Sequence, residues 1–171
     1  MLIHEAQIMA NEYPAHTNTG RTKIAIPHDI QVDMSIVLDM TASMTQEMKG
    51  IITALKAIIA GIDLENAPLI ALITFTDEVK INAFTPDISV LLEAIERLKV
   101  SGGGSCPEAS AEALNIAIPH TKKGGDILFY TDASPYDDTD VENILEQMNK
   151  RRIRFHAMIT GDCSQTESGN E

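Results

Sequence analysis

Five short apolar runs alternate along this chain with longer stretches in which apolar residues return every three or four positions, and that alternation limits the fold more than any other feature. Met34-Ser35-Ile36-Val37-Leu38, closed by Asp39, is apolar enough for a central buried strand. Behind it, Met44, Met48, Ile51, Ile52, Leu55, Ile58, Ile59 and Ile62 recur at helical spacing. Leu69 to Phe75 and Val79 to Phe84 read as a second and third strand joined only by Thr76-Asp77-Glu78. A parallel crossover takes about a dozen residues or more, so this pair is expected to be an antiparallel hairpin. Ile88, Leu91, Leu92, Ile95 and Leu98 mark a second helix, and the loop Ser101-Gly102-Gly103-Gly104-Ser105 leads into Pro107, a good first-turn proline. A third helix is expected to begin there, with Ala111, Leu114 and Ile118 on its apolar side. Ile127 to Tyr130 gives a fourth strand ending in Thr131-Asp132, then Val141, Ile144, Leu145 and Met148 a fourth helix, then Ile153 to Ile159 a fifth strand.

Strands alternating with helices predict an α/β fold: a doubly wound, mostly parallel sheet with helices on both faces and the third strand as an antiparallel edge. At 171 residues the chain suits one domain, spanning 31–163, after a weakly patterned N-terminal extension over 1–30 and before a polar tail over 164–171. The extension carries one possible strand, near Thr22 to Ile26. In such sheets ligands sit beyond the carboxyl ends of the strands, where the strand order reverses. If the second and third strands lie on one side of the first and the fourth and fifth on the other, that point falls between the first and fourth strands. Asp39 and Asp132 stand at those two strand ends.

Composition closes off other classes. Thirteen Lys and Arg against 25 Asp and Glu leave a net charge of −12, and 4% aromatics with no Trp offer few stacking platforms, which argues against nucleic acid. No stretch approaches the roughly 18 consecutive apolar residues of a membrane span, so the expectation is a soluble protein that does not bind membrane. Residues 1–20 lack the apolar run of a secretory signal, which points to a cytoplasmic site, or to an extracellular one if the chain is an excised piece. Cys106 and Cys163 are too few for a disulfide scaffold, and the five His never recur at metal-ligand spacing.

Asp39-Met40-Thr41-Ala42-Ser43 places a carboxylate and two hydroxyls at alternate positions in a loop entering a helix. The simple reading is that Thr41 or Ser43 caps that helix. The same oxygens suit a hard cation such as Mg²⁺, which takes oxygen ligands at about 2.0–2.1 Å and keeps several waters. The glycine loop is not followed by Gly-Lys-Ser or Gly-Lys-Thr, which excludes a phosphate-cradling P-loop. Cys106-Pro107-Glu108 instead sets a carboxylate in a first helical turn, where dipole reasons alone favour one. Asp137, Asp138 and Asp140 read most simply as a solvated helix start.

Four pieces in order, Asp39-Met40-Thr41-Ala42-Ser43-Met44, Gly102-Gly103-Gly104-Ser105-Cys106-Pro107-Glu108, Tyr130-Thr131-Asp132-Ala133 and Thr160-Gly161-Asp162-Cys163, resemble the von Willebrand factor A (vWA) domain in its hemicentin and alpha-kinase-associated branch. The integrin beta I-like domain shares the Pro-Glu and Thr-Asp-Ala pieces. The resemblance runs from about Val32 to Cys163 and implies a metal-ion-dependent adhesion site (MIDAS) holding Mg²⁺, or Mn²⁺ in its place, with one coordination position left for an acidic residue of a protein partner. Carried over, Thr41 and Ser43 would bind the metal directly, Asp39 and Asp132 would act mostly through water, and Glu108 would take the place that Thr fills in many relatives. Ser105 stands where Asp is usual, and Gln46 where integrins put the first of two acidic residues, leaving Glu47 alone; accessory calcium sites are therefore not expected.

The function so implied is noncatalytic, a Mg²⁺-dependent protein-interaction domain. The net −12 works against an acidic ligand at long range, although a bound dication dominates the local field. Two alternatives stand beside it. One is an α/β phosphohydrolase with Asp39 as nucleophile and Asp132 holding Mg²⁺, whose usual second Asp is here Thr41; the other is a metal-free vWA scaffold. The resemblance also implies a missing final strand and helix, because Ser164 to Glu171 is too short for either. An apolar flank and a bare edge are then expected near the fifth strand, covered by residues 1–30 through Ile3, Ile8, Met9, Ile24 and Ile26 or by a second molecule.

Overall fold

The computed structural model describes residues 26–102, 109–136 and 139–161. In chain order these form β1 (Val32–Asp39), α1 (Thr45–Ala60), β2 (Ile70–Phe75), β3 (Val79–Thr85), α2 (Ile88–Glu96), α3 (Ser110–His120), β4 (Thr121–Thr131), α4 (Val141–Arg151) and β5 (Arg154–Ile159). Short 3₁₀ turns at Ala42–Met44 and Leu64–Asn66 complete the order. The sheet runs β3-β2-β1-β4-β5, with every neighbouring pair parallel except β2 and β3. The expected doubly wound sheet with an antiparallel edge is therefore the observed one, and the strand order reverses between β1 and β4.

Two apolar layers sandwich the sheet, as its alternating pleat requires. Ile36, Leu38, Leu72 and Leu128 pack against α1 and α2 through Met48, Ile51, Leu55, Leu91 and Ile95. Val37, Ile73, Ile127 and Phe129 pack against α3 and α4 through Ala113, Ala117, Ile144 and Met148. Ile26 and Ile30, just ahead of β1, are buried in this second layer. Of the strand expected near Thr22 to Ile26, residues 22–25 lie outside the described residues, and Ile26 is not in a strand.

The structure departs from expectation most at β4. It begins at Thr121, directly after α3, where periodicity places only a link before Ile127. Lys122-Lys123-Gly124-Gly125 carries no apolar pattern, because the pairing slips there: Val32 faces Thr121, yet Met34 faces Asp126. Gly124 takes a φ of 77°, open to glycine with little strain, and a Cβ on Gly125 would come within 2.7 Å of the Asp33 carbonyl oxygen. The start of α3 at Pro107 falls outside the described residues, and its described helix runs from Ser110.

Candidate metal centre

Asp39 closes β1 with no exposed surface, and three donors fix its carboxylate. Thr41 donates to Oδ1 through both its backbone N–H (2.9 Å) and its hydroxyl (2.6 Å), and the Thr131 hydroxyl donates to Oδ2 (2.7 Å). The row of oxygens continues outward: Thr41 Oγ1 lies 2.9 Å from Ser43 Oγ, which donates to Asp132 Oδ1 at 3.0 Å. Asp39, Thr41, Ser43 and Asp132 are thus brought together at the switch point. Glu108 lies outside the described residues, as do Cys106, Cys163 and Ser105. The chain on either side of 103–108 is held at this site, with Ser101 N–H donating to Met40 O (2.9 Å), Ala42 N–H to Gly102 O (3.1 Å) and Ala109 N–H to Thr76 O (3.2 Å).

The capping role expected for Thr41 or Ser43 is not what these hydroxyls do. The 3₁₀ turn at Ala42 and the helix α1 each begin without a side-chain cap, because Thr41 turns back to Asp39 and Ser43 reaches across to Asp132. Capping does occur in α4, where Asp140 accepts from Asn143 N–H at 2.9 Å.

A proton count tests whether these residues fit a cation. The contacts Asp39–Thr41, Thr41–Ser43 and Ser43–Asp132 all need a hydroxyl proton, and Thr41 and Ser43 carry one each. Three oxygen contacts share two protons, so one pair of lone pairs faces the other. A divalent cation between these oxygens supplies the missing attraction, and the donor set of two hydroxyls and a carboxylate is one that a hard cation favours. Among the described residues, which do not include Glu108, no three His, Cys, Asp or Glu side chains converge as a metal site.

Two residues matter here that motif reading leaves without a role. Thr131 accepts from Ala133 N–H (3.0 Å) while donating to Asp39, so it fixes both the buried carboxylate and the loop that carries Asp132. Its position in the strand end beside β1 is the available signal. Gly161 follows the hydrogen bond from Thr160 N–H to Thr131 O (3.1 Å) and runs so close to Asp132 that a Cβ would sit 2.8 Å from the Asp132 carbonyl oxygen. Glu47, in the first turn of α1, has a buried Oε2 without a hydrogen-bond partner among the described residues.

Sheet order, switch point and hydroxyl row together define a vWA-type domain. A sequence model of the von Willebrand factor A domain matches residues 33–171, and the chain belongs to that family. It is 28% identical to human hemicentin-1 over 163 residues, covering 93% of this chain and 3% of hemicentin-1. It is 31% identical to mouse von Willebrand factor A domain-containing protein 7 over 137 residues, 78% of this chain and 15% of that protein. The chain therefore spans a small part of the relatives it matches. Among solved structures, proximal thread matrix protein 1 from the mussel byssus, described with a zinc-occupied MIDAS motif, aligns at a TM-score of 0.59 and 13% identity, over 78% of this chain and 39% of that one. A von Willebrand factor type A structure from Catenulispora acidiphila aligns at 0.56 and 17%, over 75% and 32%. These two likenesses show the fold. The comparisons lend no support to a cytoplasmic site; among the described residues no helix is long and apolar enough to cross a membrane.

Proposed function

We propose that this adhesion-type domain binds Mg²⁺, or Mn²⁺ in its place, at Asp39, Thr41, Ser43, Glu108 and Asp132, with Asp39 and Asp132 acting mostly through water, and through that ion binds an acidic side chain of a protein partner, without catalysis. The carrying observation is the proton shortfall in the hydroxyl row, which a cation relieves. Thr41 and Ser43 present oxygens to the ion, Asp39 holds Thr41 from behind, and Asp132 orients Ser43. The ion supplies a positive site with an exchangeable position, which an incoming carboxylate fills well. The byssus protein's zinc-occupied motif supports this reading by kinship of fold, and a matrix setting outside the cell is the companion proposal.

The phosphohydrolase alternative asks Asp39 to attack a substrate. Its complete burial and three accepted hydrogen bonds weigh against that role. Thermal melting with and without Mg²⁺ tests the proposal, since a ligand at 100 times its Kd raises native stability by about 2.7 kcal/mol. The wild-type midpoint should rise and that of Ser43→Ala should not; equal shifts would remove the site, and no shift in either would favour the metal-free scaffold. Purified protein with Mg²⁺ should leave phosphomonoesters intact, and partner capture should be lost in EDTA.

A further inference from the structure

The sheet face covered by α1 and α2 is apolar through most of its extent and turns polar at one corner. There Thr74 of β2 pairs with Lys80 of β3, and the register slips beside them, between Leu72 and Ile73, so that Asn82 is the extra residue of a bulge. Asn82 lies on the same side as Lys80 and donates from Nδ2 to the Thr74 hydroxyl at 2.7 Å. Together with Arg97 and Lys99, just past the end of α2, these side chains line a cleft of about 240 Å³. That is below the roughly 300–1,000 Å³ of small-molecule sites and suits one or two side chains of another chain.

The chemistry of the lining favours carboxylates. Thr74 is only 6% exposed, and while its oxygen accepts from Asn82, its own proton meets no acceptor among the described residues, which leaves a buried donor unspent at the cleft wall. Lys80 and Lys99 enter no ion pair among the described residues, and Arg97 pairs with Glu93. Glu78 is the one acidic residue in the lining among the described residues, so cations outnumber carboxylates here in a chain whose net charge is −12. A lysine on an edge strand also discourages sheets from pairing edge to edge, which accounts for Lys80 but for neither Lys99 nor the Thr74 proton.

The cleft adjoins the candidate metal loop. Met40, between Asp39 and Thr41, forms part of its wall and accepts from the N–H of Ser101, another wall residue, at 2.9 Å. Asp39 faces Phe75 of β2, and β3 lies one strand further out, so about two strand spacings, roughly 10 Å, separate the end of β1 from the strand of Lys80. An extended chain covers that in about three residues. A sulfated polysaccharide would ask for a longer track of positive charge than this short cleft offers.

We propose that this cleft is a second contact for an acidic protein partner: while one carboxylate reaches the ion, acidic side chains about three to five residues further along the same extended segment enter between Lys80 and Lys99 and accept the Thr74 proton. The proposal rests on the metal reading for its first contact alone. It is tested on the full chain by ¹H–¹⁵N NMR titration at low salt with two end-blocked synthetic peptides, Asp-Gly-Gly-Glu-Glu-Glu and Asp-Gly-Gly-Gln-Gln-Gln. The glutamate peptide should bind roughly five- to tenfold more tightly and shift the amides of Thr74, Lys80 and Lys99, and its advantage should shrink as salt is added. Lys80→Gln with Lys99→Gln, both at exposed positions, should abolish the advantage and leave the affinity of the glutamine peptide as it was. Lys123→Gln with Lys150→Gln, the same loss of charge at the other end of the sheet, should preserve it. Both titrations are run in Mg²⁺ and in EDTA, and a glutamate advantage that survives EDTA supports the cleft even where Mg²⁺ strengthens neither peptide and the metal reading fails. Equal affinities in the wild type, an advantage that the first double variant retains, or one that the second also loses overturns the proposal. So does a sulfated hexasaccharide that displaces the glutamate peptide at lower concentration, because the occupant is then a polysaccharide.

Discussion

The carboxyl ends of β1 and β4 and the outer strand β5 are held by different physics. At the carboxyl end, Asp39, Thr41 and Thr131 are sealed from solvent and tied by hydrogen bonds of 2.6 to 2.9 Å. One strand further out, every residue of β5 is at least partly open, Phe155, Met158 and Ile159 among them, and no further strand pairs with its edge among the described residues. The contrast separates a place where geometry is already determined by polar bonds from one where shape is available to be completed. A site that must hold a small ion at short, fixed distances belongs to the first kind.

The largest expected effects bear on the apolar side of this comparison. Phe129→Ala, in the core beneath α3 and α4, should cost about 3–5 kcal/mol, and Phe155→Ala, half open on β5, about 1–2 kcal/mol. Urea unfolding of both measures the gap. Equal losses would show that Phe155 is covered as fully as the core. Next comes the polar side: Asp39→Ala orphans the Thr41 N–H and two hydroxyls, at about 3 kcal/mol, given 1–3 for each buried donor and the freedom of hydroxyls to turn. A loss below 1 kcal/mol, by the same unfolding measurement, would mean that the site is looser than its distances indicate.

Thr131→Val keeps the shape and removes one donor to a charged acceptor, for about 1.5–3 kcal/mol, while Thr131→Ser should recover most of it. Its second readout is Mg²⁺ response: if Thr131 holds the Asp132 loop, the valine variant should bind the ion more weakly in calorimetry, and unchanged affinity would confine Thr131 to a stabilising role. The smallest effect lies on β5 itself. The Arg154 guanidinium, at 2.8 and 2.5 Å, holds the Asp126 carboxyl below its ordinary value, with His156 adding to it. A carboxyl that releases its proton more readily when folded stabilises the fold above the unfolded pKa, near 3.9, and loses that contribution as pH falls through the lower folded value. For a pair at the surface this is worth about 1 kcal/mol or less. Asp126→Asn should flatten that acid limb in a pH series of melting curves, and an unaltered limb would place the acid sensitivity elsewhere.

The strands and helices were legible because burial imposes a period, two along β1 and about 3.6 along α1, and periods survive without coordinates. The β2–β3 hairpin followed from one short link, Thr76-Asp77-Glu78, whereas the placing of β2 and β4 on either side of β1 stood only as a condition until the strand pairing fixed it. The lower part of β4 was not legible, because Lys122-Lys123-Gly124-Gly125 is in the strand through a pairing slip against β1, a relation between residues some ninety positions apart. The end of α4 was equally silent: Arg152 closes it in a left-handed conformation, φ 56°, which nothing in its side chain announces.

The candidate site divides in the same way. Sequence by itself determined which oxygens stand at the ends of β1 and β4, since a carboxylate after an apolar run must emerge where the strand leaves the core. It left open whether Thr41 and Ser43 cap a helix or serve a metal, because both uses need the same residues at the same spacing. Only the tertiary structure set the cap aside, by turning Thr41 back to Asp39 and bringing Asp132 within 3.0 Å of Ser43 across the β1–β4 switch point; the metal role is the reading proposed above. A hydroxyl has one proton to give, and which acceptor receives it depends on neighbours that a local pattern cannot see.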